Sequence, residues 1–276
     1  MGLGTTIKDG LAWYEWLKKY LKVCVEERLS MEEDKTEPIH VIMNGPSLKD
    51  SIRYVRKFPG KVLMVNSAII NLDNFDGIKP DYYCLVDPAY NNPGQECKEL
   101  VEKTKNSLEQ YERTMELFIP SYWRENFILK NPNIKTRFVI SIPVPHGKNM
   151  CNMLKTNKAS PIFQGVVVMG LYVALQLGYK CIYLHGAEEG YMKYYVVNEK
   201  NEVCMKNEHI YGNEETNLTR ERGLHMLDEY RGNVYLYETL YLLKRYSDLC
   251  KAEIVNMSRS SMIDCFNRYD YGAIEE

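Results

Sequence analysis

Five apolar runs in this chain each end in small or polar residues: 39–43 before Asn44-Gly45-Pro46-Ser47, 61–65 before Asn66-Ser67, 81–86 before Asp87-Pro88, 181–184 before His185-Gly186-Ala187-Glu188, and 252–255 before Asn256-Met257-Ser258. Their chemistry is that of binding and proton transfer. Gly45 permits close approach of backbone to a ligand, and N–H groups at a helix starting near Ser47 would attract a phosphate. The plain alternative is a turn with a Ser cap. Asn44 and Asn66 carry both donors and an acceptor, which suits ribose or base edges. A neutral histidine is a fitting base near pH 7, so His185 and His209 are candidates, with Asp87 as a third catalytic group. The turn is neither a Walker loop nor G-x-G-x-x-G.

Ligands of open parallel sheets bind beyond the carboxyl ends of the strands, so the five runs must be strands of one such sheet. Ser47 and Asp50 form an S-x-x-D helix start for a helix reaching about Phe58. Spacing of strand, helix and strand predicts right-handed crossovers. The stretch 91–113 reads as helix and 138–144 as a strand. Gly165 to Leu177 reads as an apolar helix closed by Gly178. Residues 187–220 are polar, rich in tyrosine and without strong periodicity, as in a lid. Helices are expected at 219–230 and 235–248. The fold class is therefore α/β, a Rossmann-like, mostly parallel sheet with helices on both faces and a polar lid segment. The expected division is an N-terminal amphipathic helix and linker over 1–37, a nucleotide-binding domain over 38–265 with the lid at about 187–220, and a tail over 266–276.

Composition narrows the class. The 276 residues carry a formal net charge of -2, which gives no broad attraction to nucleic acid. The chain has 22 tyrosines, which suit stacking on bases or sugars and donating to phosphate as well as ordinary packing. Eight cysteines form no CxxC pair and lie largely in apolar runs, so they read as reduced hydrophobes with no metal site. No secretory leader is legible and no segment reaches the ~18 apolar residues of a membrane helix, so a cytoplasmic protein is expected. Trp13, Leu17, Tyr20 and Leu21 lie at helical spacing near Lys18 and Lys19. That helix packs on the main domain or another subunit, or attaches to the inner face of a membrane.

Taken in order, Asn44-Gly45-Pro46-Ser47-Leu48, Val65-Asn66, Asp87-Pro88, Gly178-Tyr179-Lys180-x-Ile182-Tyr183-Leu184-x-Gly186 and His209-Ile210-Tyr211-Gly212 resemble the bacterial sialyltransferases of glycosyltransferase family 42. The chain also resembles the related motility-accessory-factor and MptE-like proteins, whose N-x-S-x-x-S ending is similar to Asn256-Met257-Ser258-Arg259-Ser260-Ser261. The resemblance spans roughly residues 39–265. It implies a CMP-sugar donor, with Asn44, Gly45, Ser47 and Asn66 contacting the nucleotide; Pro46, Ser67, Gly186 and Glu188 at the same strand ends, and Gly165 at the start of the apolar helix, complete the expected nucleotide-contacting set. It also implies two lid tyrosines donating to the leaving phosphate, Tyr191 and either Tyr194 or Tyr195. The sialyltransferases place their basic histidine where this chain has Asn213.

The implied reaction is inverting transfer of a sialic-acid-like sugar from CMP to a glycan acceptor at the cell surface, with no required cofactor or metal. Tyrosine hydroxyls and backbone N–H groups would stabilise the departing phosphate. The alternatives are an MptE-like ATP-dependent diphosphokinase, with Asp87 and Glu188 on Mg²⁺, and a nucleotide-binding module without catalysis.

Overall fold

Ile39–Ile42 is buried at all four positions, and Lys61–Val65 at all but its first. Strands apolar on both faces belong in the middle of a parallel sheet. The computed structural model describes residues 13–21, 29, 31–92, 97–143, 149–209 and 212–272, with the backbone alone for 74, 191, 206–209, 212–215 and 222. Among them, β1 (Ile39–Ile42), β2 (Lys61–Val65), β3 (Tyr82–Cys84), β4 (Met115–Pro120) and β5 (Ile134–Val139) lie side by side in chain order. The chain then returns past β1, placing β6 (Cys181–His185) on its free side, followed by β10 (Glu253–Asn256) and β11 (Asn267–Arg268). All seven pairings of this eight-stranded sheet are parallel. The strand order reverses at β1, and the carboxyl ends of the strands around such a reversal are where open parallel sheets bind their ligands.

Helices cover both faces. One core packs under α1 (Leu48–Ser51), α2 (Arg53–Lys57), a 3₁₀ stretch over Asn66–Phe75 and α3 (Lys98–Glu109). The other packs under α4 (Met150–Lys155), α5 (Val166–Gln176) and the long α7 (Met226–Leu249), with the short α6 (Leu218–Arg222) preceding it. Ten of the eleven residues of α5 are buried, as its unbroken apolar run requires. Gly178 ends it at φ +84°, where a Cβ would strike the backbone of Glu33.

Several expectations need correction. Strand β4, Met-Glu-Leu-Phe-Ile-Pro, is an additional strand with an apolar run of only three residues. The strand expected at 138–144 ends at Val139; as the sheet's edge it is fully buried only at Ile134 and Val139, with Lys135 exposed and the three residues between half-buried, a weaker signal than an apolar run. The helix expected from Ser47 to Phe58 is two short pieces. The two helices expected at 219–230 and 235–248 are largely one, because Gly232 stays helical and its missing Cβ leaves room for the Gln164 amide. The lid is built as an antiparallel sheet of β7 (Tyr195–Val197), β8 (Val203–His209) and β9 (Gly212–Asn217). Its apolar residues are confined to the short β7 and the first half of β8, and the rest of β8 and all of β9 are polar, which leaves no sustained period to read. Strand β11 carries the main sheet past residue 265.

Candidate functional site

The crevice is bounded by the turn after β1 and the loop after β6. Backbone bonds zip these together: Met43 N–H donates to His185 O at 2.9 Å, and Gly45 N–H to Gly186 O at 2.9 Å. Ser47 N–H donates to Glu188 Oε1 at 2.7 Å. The other carboxylate oxygen lies over the bare Cα of Gly45, where a Cβ would come within 1.5 Å of it. This overturns the reading of Ser47 as a phosphate-binding helix start. Its own φ and ψ are helical, its side chain makes no cap bond, and α1 has four residues. The N–H expected for phosphate is taken by an internal carboxylate, and Gly45 admits that carboxylate.

The loop after β6 is pinned from a third strand end. Asn256 Oδ1 accepts from Ser258 N–H at 3.0 Å, and Ser258 Oγ accepts from Ala187 N–H at 2.8 Å. Met262 N–H donates to Glu188 O at 2.7 Å. The Asn256–Ser261 motif thus braces the loop that carries Glu188.

Ten side-chain atoms among the described residues are buried without a hydrogen-bond partner. Six of them sit at or just beyond strand carboxyl ends: Asn44 Oδ1, Ser47 Oγ, Asn66 Oδ1, Asn91 Oδ1, His185 Nδ1 and Asn256 Nδ2. Unpaired buried polar atoms are costly, and their concentration at one end of one sheet marks that end as a binding surface. Asn66 is also held at φ +48°, with its carbonyl accepting from the Tyr83 hydroxyl at 2.5 Å. Ser67 beside it is buried. Gly165 stands ahead of α5 in extended backbone, against Leu236 of α7. Helix α5 runs antiparallel to the strand it precedes, so Gly165 is at the crevice end of the sheet.

His185 is not placed to act as a base. It is fully buried, and its Nε2 lies 2.9 Å from His40 Nδ1, while His40 Nε2 is 2.7 Å from Phe58 O. A carbonyl only accepts, so His40 carries its proton on Nε2. Its Nδ1 then accepts from His185 Nε2–H. Burial holds both rings below the ordinary histidine pKa, His185 well below, with the His40 charge opposing it further. Asp87 is likewise engaged, its Oδ1 accepting from Ala89 N–H at 3.0 Å to cap the turn Pro88–Tyr90. His225 lies ahead of α7, outside the helix proper, and its N–H donates to Asp228.

The lid contributes unevenly. The Tyr195 hydroxyl donates to Glu229 Oε2 on α7 at 2.6 Å, and burial and that carboxylate push its pKa up. It fastens the lid to the body and is engaged there. Pro46 is partly buried within the β1 turn. The side chains of Tyr191, His209 and Asn213, and all of His146, lie outside the described residues.

Glu189 escaped the sequence reading. It follows Glu188 directly, stands at φ +49° and is partly buried. Burial, aided by the Glu188 charge, pushes its carboxyl up to about 7. The signal was the pair of adjacent acids straight after a buried strand, between Gly186 and Gly190. Among the described residues no group of three or more His, Cys, Asp or Glu is placed to hold a metal ion, and no helix is long and apolar enough to cross a membrane.

No family model and no curated protein matches the chain. Among solved structures it is similar to the Campylobacter jejuni sialyltransferase CstII in complex with cytidine-5'-monophosphate, at 17% identity over 85% of each chain and a TM-score of 0.43. It is also similar to the monofunctional alpha-2,3-sialyltransferase Cst-I of the same organism, at 18% identity over 86% of this chain and 82% of that one, TM-score 0.42. A third, an alpha-2,3-sialyltransferase from Campylobacter jejuni in apo form, is 19% identical over 88% and 86%, TM-score 0.41. At that identity and TM-score the likeness assigns no activity to this chain.

Proposed function

We propose that the chain transfers a CMP-activated, sialic-acid-like sugar to a glycan acceptor, by an inverting reaction that needs no metal. The observation that carries this is the gathering of unpartnered polar side chains, Asn44, Ser47, Asn66, Asn91, His185 and Asn256, at one end of the sheet. Three of the six atoms are amide oxygens, and Glu188 adds a carboxylate. A surface rich in acceptors suits the hydroxyls of ribose and the amine of cytosine better than it suits a phosphate. The phosphate then falls to the lid, where Tyr194 and Tyr191 are the candidates. The ordered motifs from Asn44 to Ser261 supply the choice of CMP among nucleotides. A cytoplasmic role in building surface polysaccharide belongs to the same reading. Exposed Trp13, Tyr14 and Leu17 beside Lys18 and Lys19 support contact of the N-terminal helix with a membrane face or a second copy of the chain.

The test is a thermal melt with CMP, and with ATP plus Mg²⁺. At a 100-fold excess over its dissociation constant CMP adds ~2.7 kcal/mol, which at this chain length raises Tm by roughly 5–10 °C. No response to CMP but a clear one to ATP plus Mg²⁺ assigns the crevice to diphosphoryl transfer. A CMP shift without turnover of any CMP-sugar leaves a binding module.

A further inference from the structure

We propose that the exposed face of α7 pairs with the same helix of a second copy of the chain, antiparallel about a two-fold axis. In α7, Leu227, Arg231, Val234, Glu238, Tyr241 and Arg245 follow one another at intervals of four and three residues, so they form one stripe along the helix. All six are exposed, Leu227 by 58% and Val234 by 55%. Tyr230 and Tyr235 flank the stripe and are exposed as well. The buried residues of α7, among them Leu236, Leu240, Leu243 and Tyr246, lie on its other side, where the helix packs on α5.

Five large apolar side chains open to solvent over about five turns of one helix form a contiguous patch, which marks an interaction surface. The apolar cleft of about 620 Å³ adjoins it: Val234, Glu238 and Tyr241 line that cleft together with Ile162 and Met192. The stripe therefore has a concave flank in which a protruding side chain of a partner can be buried.

The charges identify the occupant. Arg231, Glu238 and Arg245 recur every seven residues, and none of them forms an ion pair among the described residues. A second α7 lying parallel would set each of these charges against its own copy. Turned antiparallel, with the axis between Val234 and Tyr235, each Arg231 faces the partner's Glu238 and each Val234 the partner's Tyr235. A two-fold interface repeats every contact, so two identical ion pairs flank an apolar centre. A membrane surface fits this face less well, because Glu238 stands in the middle of the stripe and anionic headgroups would repel it.

The experiment is sedimentation velocity on the full chain from low to high micromolar concentration, without nucleotide, so its outcome is independent of the transferase reading. Wild type should sediment as a dimer. Val234→Asp, at an open position of the stripe, should sediment as a monomer with its Tm unchanged. Arg231→Glu and Glu238→Arg each bring like charges together at the axis and should weaken dimerisation roughly tenfold or more. The double variant Arg231→Glu/Glu238→Arg restores both pairs with reversed sign and should dimerise as wild type does. A wild-type chain that stays monomeric overturns the proposal. So does a dimer that persists in Val234→Asp, or one that the double reversal fails to restore. Binding of a monomeric wild type to phosphatidylglycerol vesicles, lost in Val234→Asp, assigns the face to a membrane and overturns the proposal as well.

Discussion

Asn66 combines two demands at one position. Its backbone is left-handed at φ +48°, a conformation that Asn tolerates and other side chains resist, and its amide oxygen is buried without a partner at the crevice. Two substitutions separate these demands. Asn66→Ala should lose roughly 1–2 kcal/mol of stability from the left-handed backbone and weaken CMP binding. Asn66→Gly should recover most of the stability and none of the affinity. Melting and titration calorimetry on the two variants check this; CMP affinity surviving in the glycine variant would make Asn66 a turn residue only. The histidine pair makes a second statement at this scale. Both rings have folded pKa values below the unfolded ~6.5, so the unfolded chain binds protons first as pH falls. The pair's contribution to stability is full above about 6.5 and declines below it, by up to ~1.4 kcal/mol per pH unit for each ring. Melts from pH 8 to pH 5 should show that slope in wild type and a shallower one in His40→Gln.

Among the elements, the joint between the β1 turn and the β6 loop decides whether a crevice exists. A methyl group at position 45 would lie 1.5 Å from Glu188 Oε2 and 2.4 Å from Gly186 O. A side chain can turn aside; the Gly186 carbonyl cannot, because Gly45 N–H is bonded to it. Gly45→Ala should therefore cost more than ~2 kcal/mol, and adding Glu188→Ala should recover only part of it, which double-mutant melts would show. An additive full rescue would mean that the carboxylate alone needs the space. The joint also explains what the sequence could and could not disclose. Strands β1, β2 and β6 were legible because burial on both faces writes an apolar run. Gly178 was legible as a helix end because a left-handed cap favours glycine. The edge strand β5 and the polar lid sheet were not, since one-sided or absent burial leaves no run to find. The residues at the strand ends were readable as a set. Their partners were not: that Glu188 would reach back to Ser47 N–H, and that His185 would face His40, depends on contacts between segments distant in sequence.

At the scale of the molecule, the long α7 links the parts that have to act together. It receives the lid through Tyr195 and Glu229, supports the β6 loop through Tyr237, and packs against α4 and α5 over one face of the sheet. An apolar cleft of about 620 Å³ runs along it, between Ile162, Met192 and Tyr241. The lid and the crevice loop thus share one rigid support.

The reversal of strand order has a consequence for how the protein is made. Strand β1 emerges early from the ribosome, yet one of its two edges stays unpaired until β6 has been synthesised, after β2 to β5 and α5. During that interval the nascent chain can form a five-stranded half-sheet with an open, apolar edge, a surface prone to mispairing. The crevice cannot exist in that half, because its second wall is carried by residues 181–190 and braced by residues 256–262. Binding competence therefore arrives only near the end of synthesis, and pairing of such distant segments is slow compared with local folding. A chain cut short before β10 would keep most of its apolar core and none of its completed site.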